Sequence, residues 1–195
     1  MKKGYLILML LLGMITSISA QRRFSHQSHG GIKGGYNLAS VSFDGNYGET
    51  DQRHGFHIGV YGESFIDRNF SVQPELLFSQ QGYEITDNTG RFIQKLNYIN
   101  VPVMFKAYPS NNFFLEIGPQ VGWAITHKEI YDGYYSSTTE YDPDSVDWGM
   151  NFGAGIKSNS GVSLGVRYHL GLGDLYDSQK AQNRVWMFSL GFDFK

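Results

Sequence analysis

The sequence predicts an all-β protein, an eight-stranded antiparallel up-and-down transmembrane β-barrel. Three observations carry that expectation. Apolar residues recur at every second position through eight segments after residue 30. The connections between those segments alternate short and long. The composition joins 24 glycines and 15% aromatics to 17% charged residues in a chain of 195, against about 25% charged in an average soluble protein.

The first twenty residues, MKKGYLILMLLLGMITSISA, place two lysines before an apolar run that ends in small residues. This is the three-part pattern of a secretory signal peptide, with cleavage expected after Ala20. The run is short for the roughly 20 residues of a membrane-spanning helix. Residues 21–30 form a polar lead-in, and 31–195 the barrel domain. Loss of Lys2 and Lys3 leaves 14 basic against 18 acidic residues, a formal charge of −4. That balance implies no nucleic-acid partner. The absence of cysteine excludes disulfides, thiolate metal sites and a cysteine nucleophile.

Each segment then splits into two faces. Residues 31–43 set Ile32, Tyr36 and Leu38 against Lys33, Gly35 and Asn37. Residues 53–66 set Phe56, Ile58 and Val60 against His57, Gly59, Tyr61 and Glu63. Residues 70–84 set Val72, Leu76 and Phe78 against Ser71, Gln73 and Glu75. Residues 91–108 set Ile99, Val101 and Phe105 against Asn100, Met104 and Lys106. Residues 113–125 set Leu115, Ile117 and Trp123 against Glu116, Gln120 and Gly122. Residues 147–157 set Trp148, Phe152 and Ile156 against Asn151, Gly153 and Lys157. Residues 162–170 set Leu164, Val166 and Tyr168 against Gly165, Arg167 and His169. The closing WMFSLGFDFK sets Trp186, Phe188, Leu190, Phe192 and Phe194 against Ser189, Gly191 and Asp193.

The connections 67–69, 109–112 and 158–161 are short and rich in turn formers. Those at 44–52, 85–90, 126–146 and 173–183 are longer. A soluble carrier barrel of the lipocalin kind would turn the apolar face inward, and a membrane barrel turns it outward. The polar face here holds glycines and charges of both signs, as a narrow packed interior requires. Aromatics gather towards the strand ends, as in interfacial girdles. Segments of 9 or more residues supply the 9–11 that a tilted strand needs to span the bilayer.

The ending of the leader in Ala20-Gln21, the stretches GIKGGYNLAS, SVQPELLFSQQGY, LNYINVPVMFKAYP and FFLEIGPQVGW, and the ending SLGFDFK together resemble the PorT-like outer-membrane β-barrel family of Bacteroidetes. The sequence departs at Asn100, where that family's fourth strand more often carries a carboxylate. The resemblance implies an outer-membrane location and topology, with a link to type IX secretion and gliding, and no catalytic residue. It also implies that Trp186, Phe188, Leu190, Phe192 and Phe194 act as the assembly signal read by the barrel assembly machinery, with outer-membrane lipid around them.

Two constellations stand out as candidate sites. Lys33, Glu63, Glu75, Lys106, Glu116, Lys157, Arg167 and Asp193 share the inward face and are expected to form a structural charge network in the lumen. The segment 128–147 carries six carboxylates, one lysine and four tyrosines. Its Tyr131, Tyr134, Tyr135, Tyr141, Asp142 and Asp144 make a candidate binding surface for an extracellular or envelope protein, because tyrosine gives contact area at low entropic cost. No cofactor or metal is expected, since no EF-hand spacing appears. His57 and His169 raise a lipid-modifying barrel enzyme as the alternative, but no HExxH spacing or nucleophile elbow accompanies them. The expected function is therefore a non-enzymatic outer-membrane protein, structural, adhesive or part of an assembly, acting through its extracellular loops.

Overall fold

The computed structural model describes residues 28–43, 51–87, 90–133, 137–141, 146–173 and 181–194. The signal peptide and nearly all of the lead-in lie outside these residues. Nine strands follow in order: β1 (His29–Phe43), β2 (Asp51–Asp67), β3 (Phe70–Asp87), β4 (Gly90–Ala107), β5 (Phe113–Gly133), β6 (Ser137–Tyr141), β7 (Val146–Lys157), β8 (Val162–Gly171) and β9 (Ala181–Asp193). All pairings are antiparallel, and the β4–β5 pairing closes the sheet on itself. The ring is eight-stranded, because β6 and β7 lie end to end against the same edge of β5. β6 pairs with residues 127–131 and β7 with 113–123.

This corrects three expectations. The sixth barrel strand is broken, with residues 142–145 between its two parts. Much of the stretch 126–146, expected to be a loop, is strand: β5 runs on to Gly133 and β6 returns along it as a hairpin. Likewise β3 and β4 leave only residues 88–89 between them. The wall is uneven as a result. β3, β4 and β5 have 18, 18 and 21 residues, whereas β7, β8 and β9 have 12, 10 and 13.

The register fixes how far the strands stagger. Followed one way around the ring, Lys33 pairs with Gly59, then Leu77, Asn100, Gly122 and Asp147. Followed the other way, it pairs with Gly191, Ser163 and Lys157. The two paths meet β7 ten residues apart, which is the shear of this barrel. Stagger of this size goes with strands tilted by about 35–45° and an interior that side chains can fill.

Outward positions carry Ile32, Phe56, Ile58, Leu76, Phe105, Leu115, Ile117, Trp148, Leu164 and Phe188, all large, apolar and exposed. A soluble protein rarely exposes so continuous an apolar surface, and lipid is the solvent that accepts it. Inward positions combine large side chains with glycines directly across the ladder. Tyr61 pairs with Gly31 and Phe114 with Gly155. A Cβ on either glycine would collide with the ring opposite. Glycine therefore gives each ring room to lie across the neighbouring strand, which offsets the strand stability that glycine costs. In the turn between β7 and β8, Gly161 takes φ +88°, open to glycine at no steric cost, and its N–H donates to Ser158 O at 3.0 Å.

Candidate functional site

The eight inward ionisable residues come together in the lower and middle lumen, on the side of the short turns. Near the turns, Lys157 Nζ lies 2.7 Å from Glu63 Oε2 and 2.9 Å from Asp193 Oδ2. Tyr108 and Ser71 donate to Glu63 Oε1 at 2.5 and 2.6 Å, and Tyr61 donates to Asp193 Oδ1 at 2.6 Å. Deeper in, Arg167 grips Glu75 through Nη1 and Nη2 at 2.8 and 2.9 Å and donates from Nε to Glu116 Oε1 at 2.7 Å. Lys33 reaches Glu75 at 3.1 Å. Lys106 joins the two groups: it donates to Gln73 at 2.8 Å, lies 3.8 Å from Glu63, and sits 3.9 Å above the Phe114 ring.

Four cations face four carboxylates, so the cluster carries no net charge. Burial makes each ion costly alone, and the multiple hydrogen bonds offset that cost. The cavity left among Lys33, Lys106, Glu116, Arg167 and Ser189 measures about 20 Å³, room for one water molecule. Above the ions, Ala39, Leu77, Val185 and Met187 form one apolar cluster, and Leu96, Tyr98 and Ala124 a second.

Two further constellations were not singled out as networks in the sequence. His57 Nδ1 lies 2.7 Å from Asn37 Oδ1 and its Nε2 2.9 Å from Ser189 Oγ. Asn37 Nδ2 donates to the carbonyls of Phe56 and Gln80, which fixes the orientation of its amide. His57 therefore carries its proton on Nδ1 and accepts from Ser189. This is the nucleophile, base and orienter geometry of acyl transfer, but Ser189 lines the enclosed one-water cavity among the ions. The ladder on both sides of β9 runs through Ser189, so no pair of free N–H groups stands there to hold an oxyanion.

Higher up, His169 lies between Asn151 Oδ1 at 3.0 Å and Asp147 Oδ2 at 3.1 Å, and Asn183 donates to the same carboxylate oxygen at 3.1 Å. Asp147, counted with the acidic loop in the sequence, is thus a buried lumen residue. Period two alone points it inward. Gln81 Oε1, both amide atoms of Asn100, Asp147 Oδ1 and Asn183 Oδ1 have no hydrogen-bond partner among the described residues. All belong to this upper half; none belongs to the ionic cluster. Of the loop candidates, Tyr134, Tyr135, Asp142 and Asp144 lie outside the described residues, and Tyr131 and Tyr141 are placed by backbone alone, opposite each other's strands on β5 and β6. Trp186, Phe188, Leu190, Phe192 and Phe194 all face outward and are 40–57% exposed.

A closed eight-stranded ring with an apolar exterior and a neutralised ionic interior defines a transmembrane β-barrel of the outer membrane. The chain belongs to the family described as outer membrane protein beta-barrel domain, whose match covers residues 19–177. Its fold is similar to Ail, the attachment invasion locus protein of Yersinia pestis, with 17% identity over 86% of this chain and 99% of that one and a TM-score of 0.53. It is also similar to neisserial surface protein A (NspA), with 14% identity over 87% and 99% and a TM-score of 0.54. Ail has also been crystallised with the heparin analogue sucrose octasulfate; that structure gives 17% identity over 86% and 99%, with a TM-score of 0.50. No curated protein matches the chain in sequence. The protein is located in the outer membrane.

Proposed function

We propose that this is a non-enzymatic surface protein, structural, adhesive or part of an assembly, in which a sealed barrel holds up a rigid extracellular hairpin wall. The observation that carries this reading is the height of that wall. The 21 residues of β5 exceed the span requirement by roughly ten, or about 30 Å of strand at ~3.3 Å per residue. Short turns are periplasmic in bacterial barrels, so the surplus rises outside the cell. The β5–β6 hairpin at its top carries Glu129, Tyr131, Asp132, Glu140 and Tyr141. That acidic segment favours a basic or neutral protein surface over the sulfated glycan type that Ail was crystallised with. The lumen acts as a structural plug, and the lack of access to Ser189 supports a non-enzymatic role.

The test is adherence of expressing cells to surfaces coated with a basic protein or with heparin, using wild type and a variant with residues 130–141 replaced by a short turn. Adherence to the basic coat should be lost in the variant. Equal adherence of both, with the variant folded, overturns the reading. Export by the first twenty residues and insertion by the barrel assembly machinery through the C-terminal strand belong to the same proposal. A part in type IX secretion or gliding rests on the PorT-like resemblance; unchanged secretion and gliding in a deletion strain would remove it.

A further inference from the structure

We infer that the upper lumen holds a small monovalent cation of the size of sodium, bound between Asp147 on β7, Asn100 on β4 and Asn183 on β9. The inference is independent of what the hairpins bind.

The ions of the lower lumen balance one another, and Asp147 stands outside that balance. Buried Glu63, Glu75 and Glu116 each meet a lysine or an arginine. Asp147 is equally buried, at 1% exposure, but its one ion-pair contact among the described residues is His169 Nε2 at 3.1 Å, a charge only when that ring is protonated. A buried carboxylate without a compensating charge is costly.

The register gathers amide oxygens around it. Asn100, Gly122 and Asp147 form one row across β4, β5 and β7. Gly122 leaves that row open and Asn100 fills it, because a Cβ on Gly122 would collide with Asn100 Oδ1. Residues directly paired across a ladder have Cβ atoms about 4.5–5.5 Å apart. The Asn100 amide is therefore aimed over the glycine at Asp147. From β9, Asn183 Nδ2 donates to Asp147 Oδ2 at 3.1 Å, which sets its own Oδ1 beside the carboxylate.

The groups turned to this point are unmet. Both amide atoms of Asn100, Asp147 Oδ1 and Asn183 Oδ1 are buried without a hydrogen-bond partner among the described residues. A water molecule alone would meet the acceptors and leave the charge, whereas a cation answers both. Carboxylate and amide oxygens are hard ligands that suit such an ion. One negative charge calls for one positive charge, since a divalent ion would leave a net charge buried. In agreement, no group of three His, Cys, Asp or Glu side chains among the described residues is placed to hold a metal ion. Water completes the shell and accepts from Asn100 Nδ2.

The full mature chain is unfolded by urea in a zwitterionic detergent at constant ionic strength, with sodium chloride exchanged stepwise for N-methylglucamine chloride, whose cation is too large for the site. Tryptophan fluorescence reads the midpoint. For wild type the midpoint should climb with the logarithm of the sodium concentration. Asp147→Asn keeps the shape and removes the charge, and its midpoint should be the same in both salts. Asn100→Leu removes one oxygen and keeps the charge, so it should need more sodium for the same rise. Equal wild-type midpoints in the two salts overturn the inference, because water or a protonated His169 then suffices at Asp147. An undiminished sodium rise in Asp147→Asn overturns it as well, by placing the ion elsewhere. Should Asp147→Asn fail to fold, Asn100→Leu decides: a weakened sodium response supports the inference, and an unchanged one overturns it.

Discussion

Arg167 on β8 meets Glu75 on β3 through two parallel hydrogen bonds of 2.8 and 2.9 Å. In the ring order these strands stand four places apart, as far apart as eight strands allow. The same holds for Lys157 on β7 and Glu63 on β2, 2.7 Å apart. The ionic cluster therefore braces the barrel across its width at two levels.

Removing one end of a brace should be costly. Glu75→Ala leaves Arg167 buried with half its partners, and a broken buried pair loses about 3–5 kcal/mol. The midpoint of urea unfolding in detergent should fall accordingly. Replacing both partners with Leu and Met should recover only part of the loss, since Lys33 then loses Glu75 and Glu116 loses Arg167. An unchanged midpoint in Glu75→Ala would remove the bracing role.

The lumen should not conduct. The ions are paired, the gap among them holds one water, and two apolar clusters lie above. Protein inserted in a planar bilayer should show no unitary current steps at moderate voltage. Reproducible steps from folded wild-type protein would contradict the plug.

Gly155 should not tolerate a side chain. Its Cβ would meet both the Phe114 ring and the Leu164 carbonyl, so Gly155→Val should lower the folded fraction in a gel-shift assay. Adding Phe114→Ala should recover part of it. No recovery would assign the whole effect to the backbone.

His57→Ala and His169→Ala should leave the cell's lipid profile unchanged while lowering stability, because each strands buried hydrogen-bonding groups at about 1–3 kcal/mol. Mass spectrometry of extracted lipids checks this. A lipid modification lost in either variant would revive the enzyme alternative.

Phe192→Glu with Phe194→Glu should block insertion. Both residues face lipid on the last strand, and charge on that face is costly. Heat-modifiable protein in the outer-membrane fraction should disappear; normal amounts would separate these residues from assembly.

Inside the bilayer, alternation told the faces apart, because one side of each strand meets lipid and the other the packed lumen. Lys33, Glu63, Lys106 and Arg167 could be assigned to the interior on parity alone. Which cation meets which carboxylate could not, since partners such as Arg167 and Glu75 stand across the ring and depend on the shear. The upper part of β5 was unreadable for a different reason. Residues 129–133 lie beyond the 9–11 residues a spanning strand needs, so lipid imposes no alternation on them. Glycine opposite each interior ring was legible as composition, but the pairing of Gly31 with Tyr61 needed the register.

The ten-residue offset around the ring has a consequence for how such a chain changes length. One residue inserted anywhere within the bilayer would exchange lipid and lumen for every position beyond it up to the next turn, driving Arg167 or Glu75 into hydrocarbon. Within the spanning part, growth and loss therefore come in steps of two or need a bulge that restores the parity, such as the register shift between Ala124 and Thr126 on β5, while the hairpins above are released from that rule. Relatives of this chain should differ freely in the height of their walls and hardly at all in the parity of their strands.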